Sequence, residues 1–379
     1  MIHTNKGGRA LTTYFVMALV VTAIVSVITI NAKGATVSST SRGGLYVLDT
    51  NNGAVNSQII LVDPSTGVVM RTYNTGYHPD MALSPDGTRL YVSSTRDNAI
   101  NKPRNVLETF DTVSGTVLSS VDNPDSFLST VPAYGTSMAM SPSGKYIYMM
   151  KLHTTKETTD EYVTAFDTQN ERFLKDHVSL NTECNFVLLP TNDELTVDVA
   201  CADSGGLREI TFGDASEPRE DRLWLIGAKE RQAKWGALFL QPGGKNVAFI
   251  SNSGSSFTVS RVSGAVEHLG TRVKSGPWIE RGLMPESQTA VYFVIGRKSR
   301  PYPDELDTIV AVDPVTLAPR GTLAMTEPFF SMEISRDGSN LYTIDPERAA
   351  ITVVDLTSFQ EMRRLTSIGH TPTMAIAAP

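Results

Sequence analysis

The chain has 379 residues, of which 41% are apolar, and it carries a formal net charge of -7 with a pI near 5.5. This apolar fraction is typical of a well-packed globular protein and excludes a disordered chain. Nucleic acid is a poor partner, because phosphate backbones attract basic surfaces and the sequence has no run rich in Lys and Arg.

The chain begins with a basic and then apolar segment. Lys6 and Arg9 precede an uncharged run from Ala10 to Ile30. About 20 apolar residues can span a bilayer as a helix, whereas the basic start and the small-residue exit NAKGA resemble a secretory signal. In both interpretations the rest of the chain is exported. The alternative is that the apolar run forms a helix buried in the protein core. We predict a signal peptide or signal-anchor helix over residues 1–35, a polar tether over 36–43, and an exported domain, in the periplasm or on the outer face of the cytoplasmic membrane.

From about Gly43 onward, a short apolar strand that ends in an acidic turn recurs along the chain. Its clearest copies end at Asp63, Asp111, Asp167, Asp313 and Asp355, and two degenerate copies lie near Thr211 and Ser260. An Asp side chain can accept a hydrogen bond from the backbone two residues on, which closes a turn. Repetition at one position favours turn formation over catalysis, because a catalytic carboxylate pair needs two different environments.

A second element alternates with the first. It is a strand, a Pro/Asp/Gly turn and a strand rich in Tyr, Val and Ile, as in MALSPDGTRLYVSS and MEISRDGSNLYTID, which predicts an antiparallel hairpin. Seven units of about 40 to 50 residues with about four strands each are typical of a β-propeller. A β-sandwich array would need repeats of about 100 residues. We therefore predict an all-β, seven-bladed propeller over residues 44–379.

Three longer stretches interrupt the repeat. STRDNAINKPRNV, KLHTTKETTDEY and GRKSRPYPDELD are polar and are expected to form surface loops between strands of individual blades. A calcium site in TTDEY is a weak alternative, because Ca²⁺ needs several converging oxygens and not only acidic residues adjacent in sequence.

The only two cysteines are Cys184 and Cys201. They form no CxxC motif and no His cluster accompanies them, which argues against a redox or zinc site. In an exported chain two thiols tend to form a disulfide, so we favour a structural bridge. Two unpaired, buried thiols remain the alternative.

The sequence contains no motif of an independent enzyme. GxSxG, HExxH, P-loop and GxGxxG patterns are absent. The histidines are scattered singly, and each is expected in a loop or turn: His3, His78, His153, His177, His268 and His370. A metal-dependent lactonase with ligands converging at the central channel stays open, since spacing in sequence cannot exclude it. An exported binding propeller of the cell envelope also stays open.

Several stretches resemble a known family. LYVSS and LYTID are similar to the YVTN-type repeats of exported propellers. A narrower resemblance, to the heavy (large, β) subunit of the methylamine and aromatic amine dehydrogenases, covers nearly the whole exported part. Its motifs are NTGYHPDMALSPDGTRLYVSSTRDNA, LETFDTVSGTV, PAYGTSMAMSPSGKYIYMMK, GPWIERGLMPESQTAVYFVI and MRRLTSIGHTPTMAIAAP. Cys184 and Cys201 have a separation similar to that of the two cysteines that form an intrachain disulfide in that family, so the resemblance implies the same pairing here.

The resemblance implies a seven-bladed propeller that has no cofactor, metal or catalytic residue of its own. A separate small subunit would carry tryptophan tryptophylquinone, made from two of its own tryptophans, in a heterotetramer that passes electrons to a small copper protein. Tyr77 in NTGYHPD matches an aromatic position, more commonly Phe, beside the substrate channel of the small subunit. Tyr134 and Trp278 are weaker interface candidates. Packing within the propeller is the alternative for all three.

Overall fold

The structure is a computed structural model. It describes residues 43–50, 57–97, 103–123, 126–127, 137–154, 159–180, 188–201, 206–213, 220–225, 236–251, 253–271, 273, 278–296 and 306–379. The predicted signal segment and tether lie outside these ranges, so their boundaries stay predictions. Within the ranges, no helix has the length and apolar character needed to cross a membrane.

The described part of the chain is built from β-strands. In chain order they are β1 (Leu45–Asp49), β2 (Gln58–Val62), β3 (Val69–Asn74), β4 (Tyr77–Leu83), β5 (Arg89–Asp97), β6 (Pro103–Asp111), β7 (Val117–Asn123), β8 (Ser126–Phe127), β9 (Met138–Met140), β10 (Tyr146–Thr154), β11 (Thr159–Asp167), β12 (Arg172–Ser179), β13 (Leu188–Pro190), β14 (Thr196–Cys201), β15 (Gly206–Thr211), β16 (Glu220–Leu225), β17 (Gly236–Leu240), β18 (Asn246–Ser251), β19 (Ser255–Ser260), β20 (Val266–Thr271), β21 (Trp278–Leu283), β22 (Val291–Gly296), β23 (Leu306–Val312), β24 (Pro319–Phe329), β25 (Ser331–Ile334), β26 (Asn340–Asp345), β27 (Ala350–Asp355), β28 (Gln360–Leu365) and β29 (Pro372–Ala377).

The strands form seven antiparallel sheets, here blades 1 to 7. Blade 1 has the order β29-β1-β2-β3, and blade 2 has the order β4-β5-β6-β7. In blade 3, β8 and β9 both pair with β10, which is followed by β11 and β12. Blades 4 to 7 each take four consecutive strands, starting at β13, β17, β21 and β25. The predicted seven-bladed propeller is therefore confirmed.

The alternation of strand direction gives the propeller two faces. The turns between first and second strands and between third and fourth strands lie together on one face, here the hairpin face; in blade 2, for example, Thr112 N donates to Thr88 O at 3.1 Å. The connections between second and third strands and between successive blades lie on the opposite face, here the loop face. Each of the three long polar stretches lies where a second strand is followed by a third, and the expectation that they are loops is wrong for their described ends, because residues 94–97, 103–106, 151–154 and 159–162 belong to strands β5, β6, β10 and β11.

The acidic turns lie on the hairpin face and are closed as predicted. Asp63 Oδ1 accepts a hydrogen bond from Ser65 N at 2.7 Å, and Asp355 Oδ1 accepts one from Ser358 N at 2.6 Å. The backbone hydrogen bond from Ser358 lowers the pKa of Asp355, because it stabilises the ionised carboxylate. The repeated aspartates are thus turn residues, and in the degenerate copy Ser260 Oγ accepts the equivalent bond from Ser263 N at 3.3 Å.

Apolar side chains fill the seven seams between neighbouring blades. Successive side chains of a strand point to opposite sides of its sheet, so each blade serves two seams. In β1, Leu45 and Val47 pack against blade 7, whereas Tyr46 and Leu48 pack against blade 2. This arrangement explains why no single repeat could bury both of its faces alone.

The ring closes in blade 1, where the last strand, β29, pairs with β1. Asp49, which is fully buried at the end of β1, accepts hydrogen bonds from the backbone N–H groups of His370 at 3.0 Å and Thr371 at 2.6 Å. Gln58 Nε2 donates to the same carboxylate at 2.8 Å. One buried side chain therefore connects the two ends of the described chain.

The predicted disulfide is not tested. Cys201 ends β14, but Cys184 lies outside the residues that the structure describes. The pairing stays a prediction.

Candidate functional site at the loop face

The predicted interface residues fall at equivalent places in the topology. Tyr77 is the first residue of β4 and Trp278 the first residue of β21, so each starts the innermost strand of a blade at the loop face. Tyr77 is partly exposed. Only the backbone of Trp278 is described, and Tyr134 lies outside the described residues. The structure thus puts two of the three candidates on one face, without testing their roles.

A row of polar residues extends from Tyr77 across blade 2. Tyr77 is paired with Thr95, Thr95 with Asn105, and Asn105 with Asn123, so their side chains share one side of the sheet. Thr95 Oγ1 donates to Asn105 Oδ1 at 2.7 Å. The four strands of blade 2 therefore carry one continuous polar layer at their loop-face ends.

A buried lysine of blade 3 meets the far end of this row. Lys151, only 2% exposed, donates from Nζ to Asn123 Oδ1 at 2.7 Å. Its ammonium also lies 3.5 Å from the centre of the Phe173 ring, which is a favourable cation–π contact. Burial of an ammonium group is costly without such partners. The contact therefore joins blades 2 and 3 at the end of the polar row that is opposite to Tyr77.

The backbone next to Tyr77 has an unusual conformation. His78 has a φ of 47°, and the register between β4 and β5 shifts between Tyr77 and Asp80. A residue other than glycine with positive φ is uncommon, and bulges often redirect a side chain near functional sites. Asp80, which is 4% exposed, accepts a hydrogen bond from Ser137 N of blade 3 at 2.7 Å. The buried carboxylate at the end of the bulge therefore contacts the backbone of blade 3.

Gly76 explains the close approach of the chain just before the bulge. A Cβ atom at this position would lie 2.2 Å from the carbonyl oxygen of Thr95. No other residue fits there without moving the backbone. Steric exclusion therefore explains the glycine that precedes Tyr77 in the NTGYHPD motif.

The opposite side of the same strands carries an ion pair. Arg96 donates to Glu108 Oε2 from Nε at 2.8 Å and from Nη2 at 2.6 Å, and also to the carbonyl oxygen of Asn74 in blade 1 at 2.9 Å. Glu108 is 5% exposed. Blade 2 thus has side-chain hydrogen bonds to blade 1 through Arg96 and to blade 3 through Asn123.

The expectation that every histidine lies in a loop or turn is wrong for four of them. His78, His153, His177 and His268 lie in strands, whereas His370 lies in the connection before β29. For His177 and His268 the reason is that they lie in fourth strands, the outermost of their blades; His268 is exposed and its ring lies 4.8 Å from that of the buried Phe257. His3 is outside the described residues.

No group of three or more His, Cys, Asp or Glu side chains that could hold a metal ion occurs among the residues the structure describes. A lactonase of the kind considered above would need such a group at the channel.

A cavity of about 450 Å³ opens on the loop face beside blade 7. Phe330, in the one-residue connection between β24 and β25, lies at its edge and is partly exposed. This is the connection that corresponds to Gly76 and Tyr77 in blade 2. The sequence analysis missed Phe330. In EPFFSMEIS this residue comes directly before the inner strand β25, and in NTGYHPD Tyr77 is the first residue of the inner strand β4.

Comparison with known families gives one match. The sequence model of the methylamine dehydrogenase heavy chain (MADH) family matches residues 42–223, a little under half of the chain. The match includes blades 2 and 3, with Tyr77 and both cysteines. The resemblance predicted from the sequence is confirmed over these residues. No curated protein matches the chain.

Solved structures share the fold over most of the chain. A functionally unknown protein from Desulfotomaculum acetoxidans has a TM-score of 0.65 at 10% identity, covering 89% of this chain and 99% of its own. The periplasmic gluconolactonase PpgL of Pseudomonas aeruginosa has a TM-score of 0.60 at 14% identity, covering 89% and 99%. The hydrazine synthase of Kuenenia stuttgartiensis has a TM-score of 0.56 at 14% identity, covering 85% and 98%. At these identities the likeness shows the propeller fold alone.

Proposed function

We propose, from the match of residues 42–223 to the methylamine dehydrogenase heavy chain family, that this chain is the propeller subunit of a periplasmic amine dehydrogenase-like quinoprotein. It would dock a small subunit that carries tryptophan tryptophylquinone and would form one wall of its substrate channel. The quinone would supply the oxidation of a primary amine, and electrons would pass on to a small copper protein.

The observation that carries the proposal is the placement of Tyr77. This residue belongs to the matched segment and starts an inner strand at the loop face, beside the bulge at His78. Tyrosine has a flat apolar ring and a polar tip, so it can line a channel for an amine and tolerate water at its edge. The polar row begins at Tyr77 and its register partner Thr95 and ends at Asn123, which accepts a hydrogen bond from Lys151 of blade 3.

Co-expression tests the proposal. The chain is produced together with a small, cysteine-rich, exported chain encoded beside it, and the purified material is assayed for quinone absorbance and amine-dependent reduction of an artificial electron acceptor. We expect the two chains to co-purify and the complex, but not the propeller alone, to oxidise amines. Turnover or a bound quinone in the isolated propeller would refute the assignment.

Variants at Tyr77 test its role within that complex. Tyr77→Phe keeps the ring and should leave kcat/KM within about twofold, whereas Tyr77→Ala should change it by about tenfold and alter the preference among amines. Val262→Ala, a change at an exposed site on the hairpin face, serves as the matched control. Equal effects of all three substitutions would remove Tyr77 from the channel wall.

The second candidate is an exported binding propeller of the cell envelope. It is favoured by the extent of the family match, which ends at residue 223 and leaves blades 5 to 7 uncovered. If no quinone-bearing chain co-purifies and no neighbouring frame encodes one, this candidate replaces the first. The metal-dependent lactonase stays a third candidate, tested by lactone hydrolysis in the presence of Ca²⁺.

A further inference from the structure

The cavity beside blade 7 has an apolar part and a charged part, and Asp345, Glu347 and Arg348 line the charged part. Pro328 and Phe329 at the end of β24, Phe330 in the connection and Pro346 after β26 line the apolar part. Its volume of about 450 Å³ lies within the usual range for sites that bind small molecules. Phe329 is buried, whereas Phe330 is partly exposed and accessible from the loop face. The apolar part therefore suits an apolar body such as a phenyl ring.

The cations near the cavity are already neutralised. Asp345, 6% exposed, accepts hydrogen bonds from Arg348 Nη1 at 3.1 Å and from Arg364 Nη2 at 2.7 Å. The second terminal nitrogen of Arg348 lies 3.2 Å from Glu327 Oε2. An anionic ligand would have to displace one of these carboxylates. The arrangement therefore disfavours an anion.

One carboxylate at the cavity has no such partner. Glu347 is exposed and, among the described residues, forms no hydrogen bond or close ion pair, although its charge acts on the neighbouring Arg348 and helps to raise the pKa of that guanidinium. Among the residues that the structure describes here, Glu347, Asp345 and Glu327 give three negative charges against the two positive charges of Arg348 and Arg364. The local field at the mouth of the cavity therefore favours a cation.

We propose that this cavity binds a primary ammonium compound with an aromatic or branched apolar body, the body lying against Phe330 and the two prolines and the ammonium facing Glu347. Binding itself needs no partner. The role that we give to this site rests on the proposed function: it would hold the amine before the amine enters the channel of the small subunit.

Binding to the isolated full chain tests the site. Phenethylammonium, neutral 2-phenylethanol and anionic phenylacetate are titrated at pH 7 by calorimetry or ligand-observed NMR. We expect phenethylammonium to bind best and phenylacetate worst. Equal affinity for the ammonium and the alcohol, or a preference for phenylacetate, would overturn the proposal.

Variants locate the site. Glu347→Gln should lower the affinity for phenethylammonium about threefold to fivefold, as expected for the loss of an exposed ion pair, and should leave the affinity for 2-phenylethanol unchanged. Phe330→Ala should weaken both, and Phe330→Leu, which keeps an apolar side chain, should restore part of the affinity. Glu267→Gln, an exposed glutamate of β20, is the matched control. Loss of ammonium binding in Glu267→Gln equal to that in Glu347→Gln would also refute the site.

The outcomes separate the two proposals. If the isolated chain binds the ammonium compound through Phe330 and Glu347 but no quinone-bearing chain co-purifies with it, the proposed function is refuted and the cavity assignment stays intact. An active complex whose propeller binds no ammonium compound would do the reverse.

Discussion

Two buried aspartates, at two different seams of the ring, have opposite environments. Asp49, at the closure of blade 1, and Asp198, at the seam between blades 4 and 5, are both 0% exposed. Asp49 accepts hydrogen bonds from two backbone N–H groups and from Gln58. For Asp198, neither carboxylate oxygen accepts a hydrogen bond from any described residue.

Asp198 shares the cation Arg261 with another acid. Arg261 of blade 5 lies 3.4 Å from Asp198 Oδ2 but only 2.7 Å from Glu209 Oε2, and Glu209 is the register partner of Asp198. Arg222 of β16 is in turn the register partner of Glu209. Burial raises the pKa of Asp198 to about 7, against the attraction of Arg261. A buried carboxylate therefore stabilises the fold only when hydrogen-bond donors point at it, as they do at Asp49.

The largest expected effect is at the closure. Asp49→Ala leaves two backbone N–H groups and the Gln58 amide without their acceptor in the interior, which should lower the free energy of unfolding by about 3 to 4 kcal/mol. Denaturant unfolding measures it. Asp355→Ala, in an exposed turn, is the control and should have a much smaller effect. Comparable losses in the two variants would mean that Asp49 is not the closing contact.

The next effect is at the other aspartate and depends on pH. The folded pKa of Asp198 lies above its unfolded value of 3.8, so between about pH 4 and pH 7 the folded state holds a proton that the unfolded state has lost. This contribution to stability is present below pH 4 and is lost as the pH rises through 7. Asp198→Asn cannot ionise. Between pH 4 and pH 8 its free energy of unfolding should therefore rise by about 3 to 4 kcal/mol relative to the unsubstituted protein.

The measurement is a pair of unfolding curves at each pH, because groups common to both proteins cancel in the difference. Asp86→Asn, at a turn of the hairpin face where hydrogen bonds from Ser84 and Thr88 lower the pKa, should show the opposite sign: its deficit appears as the pH rises above about 4. A difference for Asp198→Asn that does not change with pH would show that Asp198 is ionised throughout.

The smallest effect sharpens the account of the closure. Gly369 has a φ of 69°, and a Cβ there would lie 2.6 Å from Asp49 Oδ2. Gly67 has a similar φ of 75°, but its nearest neighbour would be 3.5 Å away. Both Ala variants lose about 1 kcal/mol to backbone strain, and Gly369→Ala should lose about 1 kcal/mol more. Thermal unfolding compares them, and equal losses would contradict the packing of Gly369 on Asp49.

Local patterns in the sequence predict much of this fold. The acidic turns, the Pro/Asp/Gly hairpins and the number of blades depend on residues close in the chain, and each was confirmed. The candidate site could be predicted only in part. NTGYHPD marks Tyr77, but the row from Thr95 to Asn123 and its contact with Lys151 depend on strand register between segments far apart in sequence.

Sequence by itself determined the repeat, the turn chemistry and the family resemblance, because these follow from short-range backbone preferences and from motifs. Only the tertiary structure decided that β29 completes blade 1, that Asp49 is satisfied while Asp198 is not, and that Phe330 borders a cavity. The physical reason is that burial and hydrogen-bond partners across a seam are set by the closed ring, which brings together side chains up to hundreds of residues apart.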